Sequence, residues 1–193
     1  MRTYLRHSVG DRLGPLGSSV RPGRTPQGTP SNTTPIAMSY WLMKSEPDEF
    51  SIDDLVRAPR KTVPWFGVRN YQARNFMRDA MRVGDGVLFY HSSCEVPGIG
   101  GLATVASAPY PDATQFDRKS PYFDPKATRA DPRWVLVDVK LVRKTRLVPL
   151  DELRARADLA DMVVLRRGNR LSITPVTPRE WAIVTKLAAA DAR

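Results

Sequence analysis

Residues 65–81 read WFGVRNYQARNFMRDAM, and the two halves of this stretch differ in character. In the second half apolar residues fall at Ala73, Phe76, Met77, Ala80 and Met81. That is the i, i+3, i+4, i+7, i+8 spacing of a helix with one buried stripe. In the first half Trp65, Phe66, Gly67, Val68, Arg69 and Asn70 place two aromatics, a glycine, a guanidinium and an amide in the loop that enters the helix. A helix N-terminus offers unpaired N–H groups and a partial positive charge, which suit an electron-rich ligand. Asn70 is a residue type that caps such an end. Trp65 therefore reads either as the rim of the core or as a stacking surface, and Arg69 either as a solvated charge or as a ligand contact.

Upstream, SYWLMK (39–44) reads as a strand broken by Ser45, Glu46, Pro47 and Asp48, and Ser51 with Asp54 opens a short capped helix, IDDLVRA. Downstream of the turn at Gly84–Gly86, VLFYHSS (87–93) is a buried strand and LATVASA (102–108) another. Pro109–Pro132 is a long Pro- and Asp-rich segment of the kind that is functional or disordered. RWVLVDVKLV (133–142) puts Val135, Val137, Val139 and Leu141 on one strand face. PLDELRARA forms a helix packed through Leu150, Leu153 and Ala157, and a strand from Leu171 follows the Gly168–Asn169 turn. Thr177, Pro178 and Glu180 then start a last helix, WAIVTKLA. Short strands with peripheral helices, and no repeated βαβ unit, point to an α+β fold built on a small mixed or antiparallel barrel.

The length of 193 residues suits one domain, and 30 Lys and Arg against 20 Asp and Glu give a net charge of +10, which favours a polyanionic partner. One cysteine, Cys94, and two histidines, His7 and His91, provide neither a disulfide framework nor a zinc ligand set. No apolar run approaches the roughly 18 residues of a membrane span. These features predict a cytoplasmic protein, able to associate with the nucleoid, with no membrane partner, no metal and no cofactor. Residues 1–37 carry five arginines and one acid among many Gly, Pro, Ser and Thr. They read as a disordered basic extension, which an upstream translation start ahead of Met38 would also explain.

The blocks YWLMKSEPDEFSIDDL, WFGVRNYQARNFMRDAM, GDGVLFYHSS, SPYFDPKA, PRWVLVDV and LRRGNRLSITPVTPREW, in this order, closely resemble the EVE domain family from Ser39 to about Leu187. The resemblance implies a PUA-like fold, a small β-barrel flanked by helices and related to the YTH and ASCH domains, over residues 38–190. It also implies recognition of modified bases in nucleic acid, in bacteria sometimes beside a nuclease on another chain. Against the resemblance, family members commonly have a longer apolar residue at Gly100 or Gly101 and an acid near Thr104, so this strand is expected to pack differently or to sit closer to a ligand backbone.

A protein that reads one base takes it out of the stack, sandwiches it between aromatic faces and hydrogen-bonds its edge. Trp41, Trp65, Tyr90 and Trp134 are the stacking candidates, each with barrel core as the alternative. Lys44 and Ser45 at the end of the first strand, Asn70, His91 and Ser92 are the candidates for the edge. Arg69, Arg74, Arg166, Arg167 and Arg170 are the candidates for phosphate, because a guanidinium binds it in a bidentate manner. The carboxylates are scattered or sit in capped turns, and Cys94 and His91 lie three apart on a strand, facing opposite ways. That inventory predicts a binding module and no enzyme. With the resemblance, the favoured ligand is a single modified base in DNA, with a modified base in RNA, a free small ligand and an enzyme acting on nucleotides as the alternatives, and the oligomeric state is left open.

Overall fold

The computed structural model describes residues 38–190. The basic extension at 1–37 lies outside the described residues.

Among the described residues eight strands and four α-helices follow one another as β1 (Tyr40–Ser45), α1 (Ile52–Arg57), β2 (Thr62–Pro64), α2 (Tyr71–Asn75), β3 (Gly86–His91), β4 (Gly98–Val105), β5 (Tyr110–Pro111), β6 (Val135–Leu136), β7 (Asp138–Pro149), α3 (Leu150–Arg154), β8 (Ile173–Val176) and α4 (Pro178–Ala189). Six of the strands form one sheet in the order β2-β7-β4-β3-β1-β8, and β5 pairs with β6 apart from it. Every ladder in the sheet is antiparallel except that of β1 with β3. This is the expected α+β architecture.

The sheet curls like a barrel wall. Trp65, just past edge strand β2, and Phe89 on β3 are three strands apart, about 14 Å across a flat sheet whose side chains stand upright. Their ring centroids are 5.5 Å apart. Register shifts at Phe89/Tyr90 and along β4–β7 supply bulges, which bend and twist a strand. Among the described residues no ladder joins β2 to β8, so the wall is curved without being closed by strand pairing.

Alternation along the strands divides the core in two. Trp41, Met43, Val87 and Phe89 face a cluster closed by Ile52 and Leu55 of α1 and by Ala73, Met77 and Met81, whereas Leu42, Leu88 and Tyr90 face Leu153 of α3 and Val184 and Ala188 of α4. The Ser51–Asp54 and Thr177–Glu180 capping boxes both form, and Asn70 caps α2 by accepting from the Ala73 N–H at 3.0 Å.

Two local expectations are corrected. After Asn75 the helix continues as a π-turn, Phe76–Ala80, in which the Met81 N–H donates to the Phe76 carbonyl. That wider turn carries Ala80 out to solvent while Met77 and Met81 stay buried. Ala157 is likewise exposed, because α3 ends at Arg154 and a 3₁₀ turn buries Leu159 in its place.

Candidate nucleic-acid interface

The parallel β1–β3 pair ends with Ser45 beside His91, and with Ser92 donating its backbone N–H to the Ser45 carbonyl at 2.9 Å. Just inside this end the buried Phe89 ring is ringed by Trp65 at 5.5 Å, His91 at 5.6 Å and Phe50 at 6.4 Å. Trp65 and His91 stand edge-on to it, the arrangement in which positive ring edges meet a negative face. Trp65 is 8% exposed, so it belongs to the core and also to the wall of this aromatic group.

The neutral His91 ring is held in one tautomer. The Ile52 N–H, at the start of α1, donates to His91 Nε2 at 3.0 Å, so that nitrogen carries no proton and Nδ1–H is the donor. Burial lowers the pKa of the imidazole, and the nearby Lys144 charge acts in the same sense, against the opposing effect of Asp53. Gly100 and Gly101 make room for this contact. A Cβ on Gly100 would lie 3.3 Å from the His91 ring, and one on Gly101 would lie 2.5 Å from Ile52 Cδ1. These two glycines let α1 seat against the strand. Ser45 donates its hydroxyl to the Phe50 carbonyl at 2.6 Å, which ties down the turn between β1 and α1.

The residues proposed for the base do not all meet. Lys44 and Tyr90 pair across β1 and β3 but lie on the opposite sheet face from Ser45 and His91, because neighbouring strand residues point opposite ways. Burial pushes Tyr90 up to about 12 and lowers the pKa of Lys44. Trp41 is buried at the far end of β1, where its indole N–H donates to Asp85 at 3.0 Å. Trp134 is buried too, donating to Asp124 at 2.7 Å and stacking on the exposed Tyr71 at 4.9 Å. Asn70 is exposed with its oxygen committed to the cap.

Arg69, one of the phosphate candidates, is engaged within the protein. Its Nε donates to the Tyr122 carbonyl, Nη1 to the Val68 carbonyl and Asp112, and Nη2 to Thr114 Oγ1 and the Tyr122 carbonyl, at 2.6–3.0 Å. These contacts use all five guanidinium donors. Asp112, 1% exposed, completes the clamp by accepting from the Gly67 N–H at 3.0 Å and from the N–H and hydroxyl of Thr114. Burial alone would raise its pKa, but the hydrogen bonds from Thr114, Arg69 and Gly67 outweigh it and hold the carboxyl below its ordinary value. The segment from Pro109 is therefore anchored to the 65–70 loop, and its Tyr122 ring lies on Gly67, where a Cβ would come within 2.7 Å.

Among the arginines, Arg74 is half-spent: it donates to Asn75 Oδ1 and the Arg133 carbonyl and lies 4.8 Å from the Tyr71 centroid. Arg166, Arg167 and Arg170 are exposed around a turn with Gly168 at φ +79°, and make no ion pair among the described residues. This turn leads to Ser172, whose carbonyl accepts from the Lys44 N–H at 2.8 Å. The cationic turn and the half-buried Lys44 thus flank the strand end that carries the aromatic group.

Sequence reasoning passed over Phe50, Phe89 and Asp112. The first two lie within quoted blocks but lack the polar handle that drew attention to Trp and Tyr. Asp112 looks like any other acid of a Pro-rich loop.

An EVE domain model matches residues 39–187. Human thymocyte nuclear protein 1 is 44% identical over 167 residues, covering 77% of this chain and 73% of that protein. A crystal structure of a protein from Pseudomonas putida is 50% identical, with a TM-score of 0.73 over 77% of this chain and 99% of that one. The crystal structure of human THYN1 protein in complex with 5-methylcytosine-containing DNA is 43% identical, with a TM-score of 0.75 over 80% of this chain and 99% of that one. The chain belongs to the EVE domain family.

Proposed function

We propose that this protein binds DNA at a single modified base and performs no chemistry of its own. The observation that carries the reading is the relative, 43% identical across 80% of this chain, that was crystallised with 5-methylcytosine-containing DNA. The geometry is in keeping with it. Phe50, Trp65, Phe89 and His91 gather apolar ring surface at one strand end, where an extruded base can be enclosed. A neutral imidazole with a donor at Nδ1 suits the acceptor edge of cytosine, which presents O2 and N3. Lys44 and the arginines of the 166–170 turn neutralise the adjoining phosphates and fix the duplex in place without reading it.

The groups that catalysis would need are already occupied. His91 Nε2, the position a general base would use, accepts from the Ile52 N–H. Asp54 closes a capping box, Asp53 pairs with Lys144, and Asp112 is saturated by four donors. Cleavage of marked DNA would then belong to a nuclease on another chain.

The test is a competition at near-physiological salt between matched DNA and RNA oligonucleotides carrying cytosine or adenine and their methylated or hydroxymethylated forms. Preference for one modified base in DNA is the expected result, with the preference abolished in Trp65→Ala. Equal, salt-sensitive binding to every oligonucleotide would refute it and leave the +10 charge as the source of affinity.

A further inference from the structure

A base that leaves a duplex leaves a gap in the stack, and the unstacking costs several times thermal energy unless something fills the space. The filler has to be apolar and flat, exposed before DNA arrives, adjacent to the pocket and held rigidly enough to enter without further ordering. Resting on the reading above, we propose that Phe66 is this wedge.

Phe66 is 48% exposed, directly after a Trp65 that is 8% exposed, so consecutive side chains of one loop point into the aromatic group and out to solvent. Single exposed apolar residues are ordinary on protein surfaces and by themselves mean nothing. What distinguishes Phe66 is its mounting. The Trp65 N–H donates to the Val137 carbonyl at 2.9 Å, and the Gly67 N–H donates to the buried Asp112 at 3.0 Å, so the backbone is anchored at the residue before Phe66 and at the residue after it. The Tyr122 ring meets Phe66 edge-on at 6.0 Å and also covers Gly67, closing the loop from behind. Arg69 in turn lies 5.4 Å from the centroids of both Tyr122 and Trp134. An exposed phenyl ring is thus carried on a clamped loop beside the place proposed for the extruded base. The loop buries Trp65 and leaves the Phe66 ring half in water on an anchored mounting, which a side chain that enters a base stack requires.

The experiment uses the full 193-residue chain and 5-methylcytosine placed in three settings: a matched duplex, the same strand alone, and a duplex with an abasic site opposite the modified base. Phe66→Ala should weaken binding to the matched duplex about tenfold while changing single-strand binding less than about twofold, and the abasic partner should restore most of the affinity, because opening is then cheap. Phe66→Leu, which keeps an apolar plug, should fall between wild type and Phe66→Ala. The ratio of duplex to single-strand Kd within one preparation cancels any unfolded fraction, so a merely structural role would leave it unchanged. An unchanged ratio overturns the wedge while the reader stands. A wild-type chain with no preference for the modified base in any setting overturns the reader, and the wedge with it.

Discussion

Replacing Asp112 by Asn tests whether the 65–70 loop is organised by the clamp beneath it. The carboxylate accepts from the Gly67 N–H at 3.0 Å, Arg69 Nη1 at 2.9 Å, the Thr114 N–H at 2.9 Å and the Thr114 hydroxyl at 2.6 Å. An amide keeps one accepting oxygen. If that oxygen stays with Gly67 and Arg69, the new NH₂ faces the Thr114 N–H; the hydroxyl can turn to accept, but one buried donor is orphaned at a cost of about 1–3 kcal/mol. Arg69 also loses its counter-charge. Its side chain is 22% exposed, so solvent screens part of that effect and about 1 kcal/mol is a fair share. The sum is about 2–4 kcal/mol, or about 4–16 °C in Tm at the 2–4 °C per kcal/mol typical of a domain this size. The effect should also depend on pH. The folded-state pKa of Asp112 is depressed, so its contribution is fully present above the unfolded value near about 4 and is lost as pH falls through the folded value. Thermal melts of wild type and Asp112→Asn should therefore differ by a constant amount between about pH 5 and 7, as set by these pKa values, and converge below about pH 4. A Tm change under about 2 °C at neutral pH, or a gap that persists undiminished into strong acid, would refute the clamp.

Arg167→Ala and Arg170→Ala should each weaken DNA binding whether or not the base is modified. Removing one phosphate contact should reduce the slope of log K against log salt by about 0.9, with stability unchanged within about 0.5 kcal/mol; an unaltered slope would remove the 166–170 turn from the interface. Gly67→Ala combines a backbone at φ +83° with a Cβ 2.7 Å from Tyr122 Cζ. It should cost about 1–3 kcal/mol in denaturant unfolding and displace the Tyr122 ring; a neutral midpoint would mean the loop yields freely. For His91, burial depresses the folded pKa, so below about 6.5 the unfolded chain takes up a proton that the folded chain refuses, and stability falls with pH from there toward the folded value. His91→Gln, which can still accept from the Ile52 N–H, should flatten that slope between about pH 7 and 5; identical slopes would place the pH dependence elsewhere.

Elements that announce themselves locally were legible in the sequence. Ser51 with Asp54, Thr177 with Glu180, and Asn70 ahead of the 71–81 stripe each mark a helix start by a side chain matched to nearby N–H groups, and each forms as expected. Val137, Val139 and Leu141 share one core as strand alternation requires. What could not be read was contact across distance. Arg69 looked like a free cation because its partners Asp112, Thr114 and Tyr122 lie 43 to 53 residues further on. Trp41 looked available for stacking because Asp85, which takes its indole N–H, is 44 residues away. The extended segment from Pro109 looked loose because what docks it, the buried Asp112 and Gln115 and a tyrosine ring lying on a glycine, shows only in contacts with distant residues.

The geometry also separates two tasks that the sequence runs together. Lys44 and Ser45 are neighbours, as are Tyr90 and His91, and a motif treats each pair as one unit. In the sheet the alternation sends Ser45 and His91 toward the aromatic group and Lys44 and Tyr90 toward the face closed by α3 and α4. The backbone of Lys44, whose side-chain pKa is lowered by burial, is tied through its N–H to Ser172, just past the segment that carries Arg166, Arg167 and Arg170. On the proposed reading, one side of this strand end would take the base and the other, with Lys44 and the nearby arginines, the phosphates. That division would suit a ligand with a flat, uncharged part and a polyanionic part, because a cation inside the aromatic group would suffer desolvation without a partner. A nucleotide held within a polymer has this shape and charge; an isolated base lacks the second half.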